Sequence, residues 1–130
     1  MGIPRYVAAL ALLTGCPTVD LGDTPTEIGL CNPAGGVDYF QNMIWPNYVV
    51  PGGCAKNNCH IAGGNGLDFQ TAMPTDYAAT FKRTQTQLNC GTPMASPFLT
   101  RPLAGIDPHG GGDIFQPGDP EVQVFLDWFK

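Results

Sequence analysis

Two thiols followed at once by an imidazole stand at Cys54-Ala55-Lys56-Asn57-Asn58-Cys59-His60. Residues of these types in this order can attach a c-type haem. Each thiol forms a thioether with a haem vinyl group, and the adjacent histidine reaches the iron as proximal ligand. The usual motif, C-x-x-C-H, has a shorter gap than the four residues found here, so the loop must bulge to keep both sulfurs over the porphyrin edge. Two other chemistries fit the same residue types. In an exported protein, neighbouring cysteines are often halves of disulfides. Thiolates and imidazoles are also the usual zinc ligands, but the chain offers no second C-x2-4-C or H-x3-5-H pair to complete such a site.

The elements that must position this knot belong to a single domain, because 130 residues leave no room for more. Seventeen glycines and thirteen prolines imply long loops and turns. So loop-rich a chain builds a small apolar core and calls for a staple or a cofactor, and a covalent haem would fill that role.

Residues 1–15 read as an export signal. Arg5 gives a short positive start, and Tyr6 to Leu13 form an apolar run too short to span a bilayer. Leu13-Thr14-Gly15-Cys16 resembles a bacterial lipobox, which predicts cleavage before Cys16 and lipidation of its thiol. Residues 16–30 have no periodicity and several turn formers, as a flexible tether would. The domain then occupies residues 31–130. Without its signal the chain keeps five Lys and Arg against eleven Asp and Glu, a net of −6. That balance excludes a nucleic-acid binder, which needs a basic footprint. It suits an encounter with a basic partner protein.

Within the domain, Val37 to Trp45 predicts a short helix with Val37, Phe40, Met43 and Ile44 on one face, stopped or kinked by Pro46. Tyr48 to Val50 should run extended into Pro51-Gly52-Gly53 and the knot. Thr75 is a candidate N-cap for a second helix reaching to about Leu88, with Tyr77, Phe81 and Leu88 apolar. The loop Ile106 to Gly112 has glycines that let backbone approach a flat ligand closely. The final helix is the clearest. Asp119 caps it, Pro120 takes the first position, and Val122, Phe125, Leu126 and Phe129 form a stripe facing the first helix.

These pieces together resemble the small cytochrome c-like domains of exported planctomycete and myxobacterial proteins. The resemblance is carried from Tyr39 onward by Tyr39-Phe40, Ile44, Cys54, Cys59-His60, Gly66-Leu67-Asp68-Phe69 and Tyr77-Ala78-Ala79. It continues with Ser96-Pro97-Phe98-Leu99, Pro102-Leu103, His109-Gly110-Gly111-Gly112, Phe115 and Phe125-Leu126-Asp127-Trp128-Phe129. Some members of that family share the four-residue gap. The resemblance implies a mainly α fold of about three helices with long Gly/Pro-rich loops around one covalent haem c.

Four groups could take the iron's other face. Met43 sits among apolar neighbours, as a core residue would, and Met73 precedes Pro74 in a loop. Met94, in Thr92-Pro93-Met94, resembles the methionine loop of ordinary cytochromes c. His109 precedes Trp128 by nineteen positions, close to the place of the ligand methionine in those relatives. The expected ligands are therefore His60 and His109, with Met94 the second choice for the distal position.

Two imidazoles lower the reduction potential relative to His/Met ligation and leave no open iron position. The function implied is single-electron transfer between redox proteins of the bacterial envelope, from a lipid-tethered, periplasmic position, rather than catalysis. A peroxidase would need a distal acid–base group beyond His109. With Cys16 lipidated and Cys54 and Cys59 on haem, Cys31 and Cys90 are left to form a disulfide. Closing a loop of that length contributes on the order of 4 kcal/mol. The competing reading is a haem-free, disulfide-stapled interaction module, in which pairings such as Cys54–Cys90 become possible.

Overall fold

The computed structural model describes residues 29–56, 59–61, 67–69, 71 and 74–130. The expected signal segment, Cys16 and nearly all of the expected tether lie outside the described residues, as do Asn57, Asn58, Gly66 and Met73.

The domain is mainly α. Three helices of eight or more residues are joined by long loops, and among the described residues only two isolated bridges, Ile61–Phe69 and Leu103–Phe115, represent β pairing. No helix of the described residues is long and apolar enough to cross a membrane.

A single turn, α1 (Gly36–Tyr39), runs straight into a π-helix (Phe40–Val49) with Pro46 inside it. Pro46 therefore does not end the helix. A proline ring clashes with the carbonyl four residues back in an α-helix. The wider π register moves the bonding carbonyl to the fifth residue back, as in the Val50 N–H to Trp45 carbonyl bond of 3.0 Å. Tyr48 and Val49, expected to be extended, are helical and fully buried. The same register change alters the buried face. Phe40 and Ile44 are fully buried as expected, but Met43 is 39% exposed and not a core residue.

Helix α2 (Tyr77–Gln85) starts one residue later than expected. Asp76, not Thr75, caps it, its carboxylate accepting the Ala79 N–H at 2.9 Å. It also stops short of Leu88, where turn-type bonds from Gln87 to Thr84 and from Leu88 to Gln85 tighten the chain. Phe81, Thr80 and Thr84 form its buried face. Helix α3 (Pro97–Thr100) is a single buried turn carrying Phe98 and Leu99.

Helix α4 (Pro120–Asp127) packs against the π-helix, as its stripe requires. Phe125 and Trp128 are fully buried, with Val122, Leu126 and Phe129 at the edge of the core. Asp119 occupies the N-cap position, yet its side chain makes no cap bond. Its carboxylate turns back to accept the Gln116 N–H at 2.7 Å. Trp128 closes the domain by donating its indole N–H to the Gly36 carbonyl at 2.9 Å, while its own carbonyl accepts from Gly35. Gly35 has to lack a side chain here, because a Cβ would sit 2.6 Å from the Tyr39 Cβ and 3.1 Å from the Trp128 ring.

The core is an aromatic cluster of Phe40, Tyr48, Phe69, Phe81, Phe98, Phe115, Phe125 and Trp128 with aliphatic residues between them. The chain's own rings thus assemble the centre that the sequence reading assigned to a haem. A disulfide, Cys31–Cys90, ties the start of the domain to the loop after α2, with Cα atoms 5.3 Å apart. Gln85 supports it by donating to the Cys31 carbonyl at 2.9 Å.

Candidate functional site

The π-helix delivers the chain to the site. Its last buried residue, Val49, accepts the Cys54 N–H at 3.1 Å, and Tyr48 accepts the Gly52 N–H at 3.1 Å. Gly52 is confined on three sides: a Cβ there would lie 2.9 Å from the Phe115 ring, 2.9 Å from the Tyr48 carbonyl and 3.1 Å from the Cys54 sulfur. A glycine before the knot is what lets the Cys54 thiol pack against the core.

The four-residue gap is taken up by two backbone bonds. Cys59 N–H bonds to the Lys56 carbonyl at 3.0 Å, and His60 N–H reaches back to the Cys54 carbonyl at 3.2 Å. The His60 backbone is anchored on the far side by the Phe69 N–H, 2.6 Å from its carbonyl, and its ring packs edge-on against Phe69. The bond to the Cys54 carbonyl keeps His60 beside Cys54.

Cys54, Cys59, His60 and His109 all line one cavity of about 780 Å³. That size falls within the roughly 300–1,000 Å³ of organic-ligand sites. Both cysteines are free thiols, in contrast to Cys31 and Cys90. The aromatic cluster forms part of the wall through Tyr48 and Phe98. The Tyr48 hydroxyl donates to the Phe98 carbonyl at 2.6 Å. Burial, and secondarily the neighbouring Cys54, push that phenol well above its ordinary range, so it remains a donor.

Burial also dominates at Cys54, pushing its thiol up to about 11. Its own backbone N–H and Lys56 oppose the rise, and Cys59 adds to it. A thiol of this kind stays protonated at neutral pH.

The two imidazoles face each other. Their ring centroids are 6.1 Å apart and their planes differ by 21°. His109 is oriented by its own loop, its Nδ1 lying 3.0 Å from the Gly112 carbonyl. A carbonyl can only accept, so Nδ1 carries the proton and the neutral ring keeps its lone pair on Nε2.

The other distal candidates are not brought here. Met94 lies on a 3-10 turn (Pro93–Ala95), is 49% exposed and does not line the cavity. The turn is fixed outward by the buried Ser96, whose hydroxyl accepts the Asn89 N–H at 2.9 Å. Met43 is likewise on the surface. Met73 and Cys16, the expected lipid acceptor, fall outside the described residues.

Sequence reasoning missed several wall residues, among them Tyr48, Gly52, Lys56 and Arg101. Lys56 and Arg101 make no side-chain hydrogen bond or ion pair among the described residues, whereas Arg83 pairs with Asp68 and Lys130 with Asp127. With Asp107 the only acid among the described lining residues, that wall is locally cationic in an acidic chain. A ligand bearing carboxylates suits such a wall. Among the described residues no group of three or more His, Cys, Asp or Glu could hold a metal ion by itself. Comparison with family models, characterised proteins and solved structures returned no match for this chain, so the resemblance to cytochrome c-like domains rests on the motif residues themselves.

Proposed function

We propose that the chain is a lipid-tethered, monohaem c-type electron carrier of the bacterial envelope. One observation carries this reading: two free thiols and two opposed imidazoles, drawn from sites about fifty residues apart in sequence, line the same cavity. In this reading Cys54 and Cys59 hold haem c covalently, and His60 and His109 are its axial ligands. Attachment adds each S–H across a vinyl C=C, forming one C–S and one C–H bond with no net loss of electrons. It needs thiols, not a disulfide, and both cysteines are free thiols.

The haem would supply one-electron exchange at its iron. The chain supplies the rest: two imidazoles that leave no iron position for a substrate, an apolar wall, and a cationic rim for carboxylates. Electron transfer therefore fits better than oxygen or peroxide chemistry. The acidic remainder of the surface suits basic redox proteins as partners, and the Cys31–Cys90 disulfide suits an oxidising compartment.

A pyridine haemochrome spectrum tests the reading on protein made in a host with c-type maturation machinery. The expected result is one c-type haem per chain that survives acid–acetone extraction. Colourless protein would leave the disulfide-stapled interaction module, a reading favoured by the complete aromatic core.

A further inference from the structure

We infer that Gly111 and Gly112 are positioning residues that mount His109 as a displaceable distal ligand, an inference that rests on the haem reading above. From residue 105 to residue 113 every residue is exposed except His109, which is partly buried. The loop is tied at its ends, where Ala104 N–H meets the Phe115 carbonyl at 2.9 Å and Ile114 N–H meets that of Pro102 at 2.8 Å, and once between them, where Asp107 N–H lies 3.4 Å from the Thr100 carbonyl. The imidazole itself lies beside the ring of His60.

What holds it is the glycine turn. Gly112 adopts φ +77°, a conformation that side chains resist, and in it the Gly112 carbonyl meets His109 Nδ1 while its N–H bonds to the His109 carbonyl at 2.9 Å. The ring lies directly over Gly111: a Cβ there would stand 3.1 Å from its Cε1 and 3.3 Å from its Nδ1. Gly110, one residue earlier, has nothing within 4 Å of the same position and no positive φ. The turn therefore selects the Nδ1–H tautomer and leaves the lone pair on Nε2.

This arrangement contrasts with His60, whose backbone is bonded on both sides to Cys54 and Phe69. A ligand bonded on both sides to residues of the core faces one on an exposed loop, which opens at lower cost. The bond from His109 is then the one that a small exogenous ligand, such as cyanide on ferric iron, displaces.

Adjacent glycines give the test. Gly111→Ala and Gly110→Ala are compared with the unaltered protein, in the haem-bearing state by cyanide titration and midpoint potential. In the haem-free chain, 15N NMR of the His109 ring reads the tautomer. Loss of such an orienting contact weakens a metal bond by ~10–100-fold, so Gly111→Ala should bind cyanide tighter by that factor and show a mixed tautomer. Gly110→Ala should match the unaltered protein in all three measurements. If Gly111→Ala binds cyanide no more tightly than Gly110→Ala, the mount is overturned while the haem reading stands. If no variant carries haem, both are overturned.

Discussion

The Cys54 thiol offers a quantitative test that needs no cofactor. Burial raises it from an ordinary 9.0 to about 11. At neutral pH that rise leaves about a hundredfold less thiolate, the form that attacks an alkylating reagent. The more basic thiolate is intrinsically a better nucleophile, which on a logarithmic slope near one half restores a factor of about ten. The haem-free protein should therefore alkylate at Cys54 ~10-fold more slowly than a cysteine in an unfolded peptide, before any further loss from restricted access. Iodoacetamide labelling across a pH series, with peptides carrying Cys54 and Cys59 separated by mass spectrometry, measures it. The rate at Cys54 should still be climbing at pH 10.

The same shift makes a stability statement. Below pH 9 the thiol is neutral in folded and unfolded chains alike, and its burial costs nothing in charge. Above that, the unfolded chain ionises first, so stability falls by on the order of 2–3 kcal/mol as the pH rises through the folded value near 11. The loss should be absent from Cys54→Ser. A labelling midpoint near 9, or equal rates in folded and unfolded protein, would refute the burial argument.

Three further outcomes follow from the packing. Replacing both Cys31 and Cys90 by serine opens a crosslink with a sequence separation of 59, and denaturant unfolding should show a loss of ~4 kcal/mol if the unfolded chain gains the full loop entropy. Tyr48→Phe removes the 2.6 Å bond to the Phe98 carbonyl and leaves that acceptor buried, at a cost of ~1–3 kcal/mol by the same measurement. Gly52→Ala forces a Cβ against Phe115 and the Tyr48 carbonyl, with an overpacking penalty of ~1–3 kcal/mol. Because the Cys54 sulfur also borders that position, Gly52→Ala should lower haem occupancy more than Tyr48→Phe does.

Much of the architecture could be read from local pattern. The stripe from Val122 to Phe129 follows an α-helical period bounded by Asp119-Pro120, and it forms the helix it implies. The pairing of Cys31 with Cys90 followed from setting the other cysteines aside, and the disulfide is present. Where the reading failed, a local rule met a tertiary demand. Pro46 ends an α-helix but is tolerated in a π-helix, and the wider turn then took Met43 out of the core and put Tyr48 in. Thr75 and Asp76 are both good caps, and only the orientation of the Asp76 carboxylate decides between them.

At the site, the motif residues were legible because their chemistry is unusual. The wall was not, because it is assembled at long range: Tyr48 and Phe98 meet across fifty positions, and nothing local in either segment announces the other. Met94 and His109 were both plausible as distal ligands from their spacing alone. The fold places His109 on the cavity wall and Met94 on an exposed turn that does not line it.

The central claim is that Cys54 and Cys59 carry one haem between them. Peptide mapping of the full chain, made with the maturation machinery and alkylated without reduction, addresses it directly. The account predicts a single haem-bearing peptide containing Cys54 and Cys59, with both sulfurs closed to alkylation and Cys31 joined to Cys90. Two alkylated thiols, or a disulfide linking Cys54 to Cys59, would contradict it.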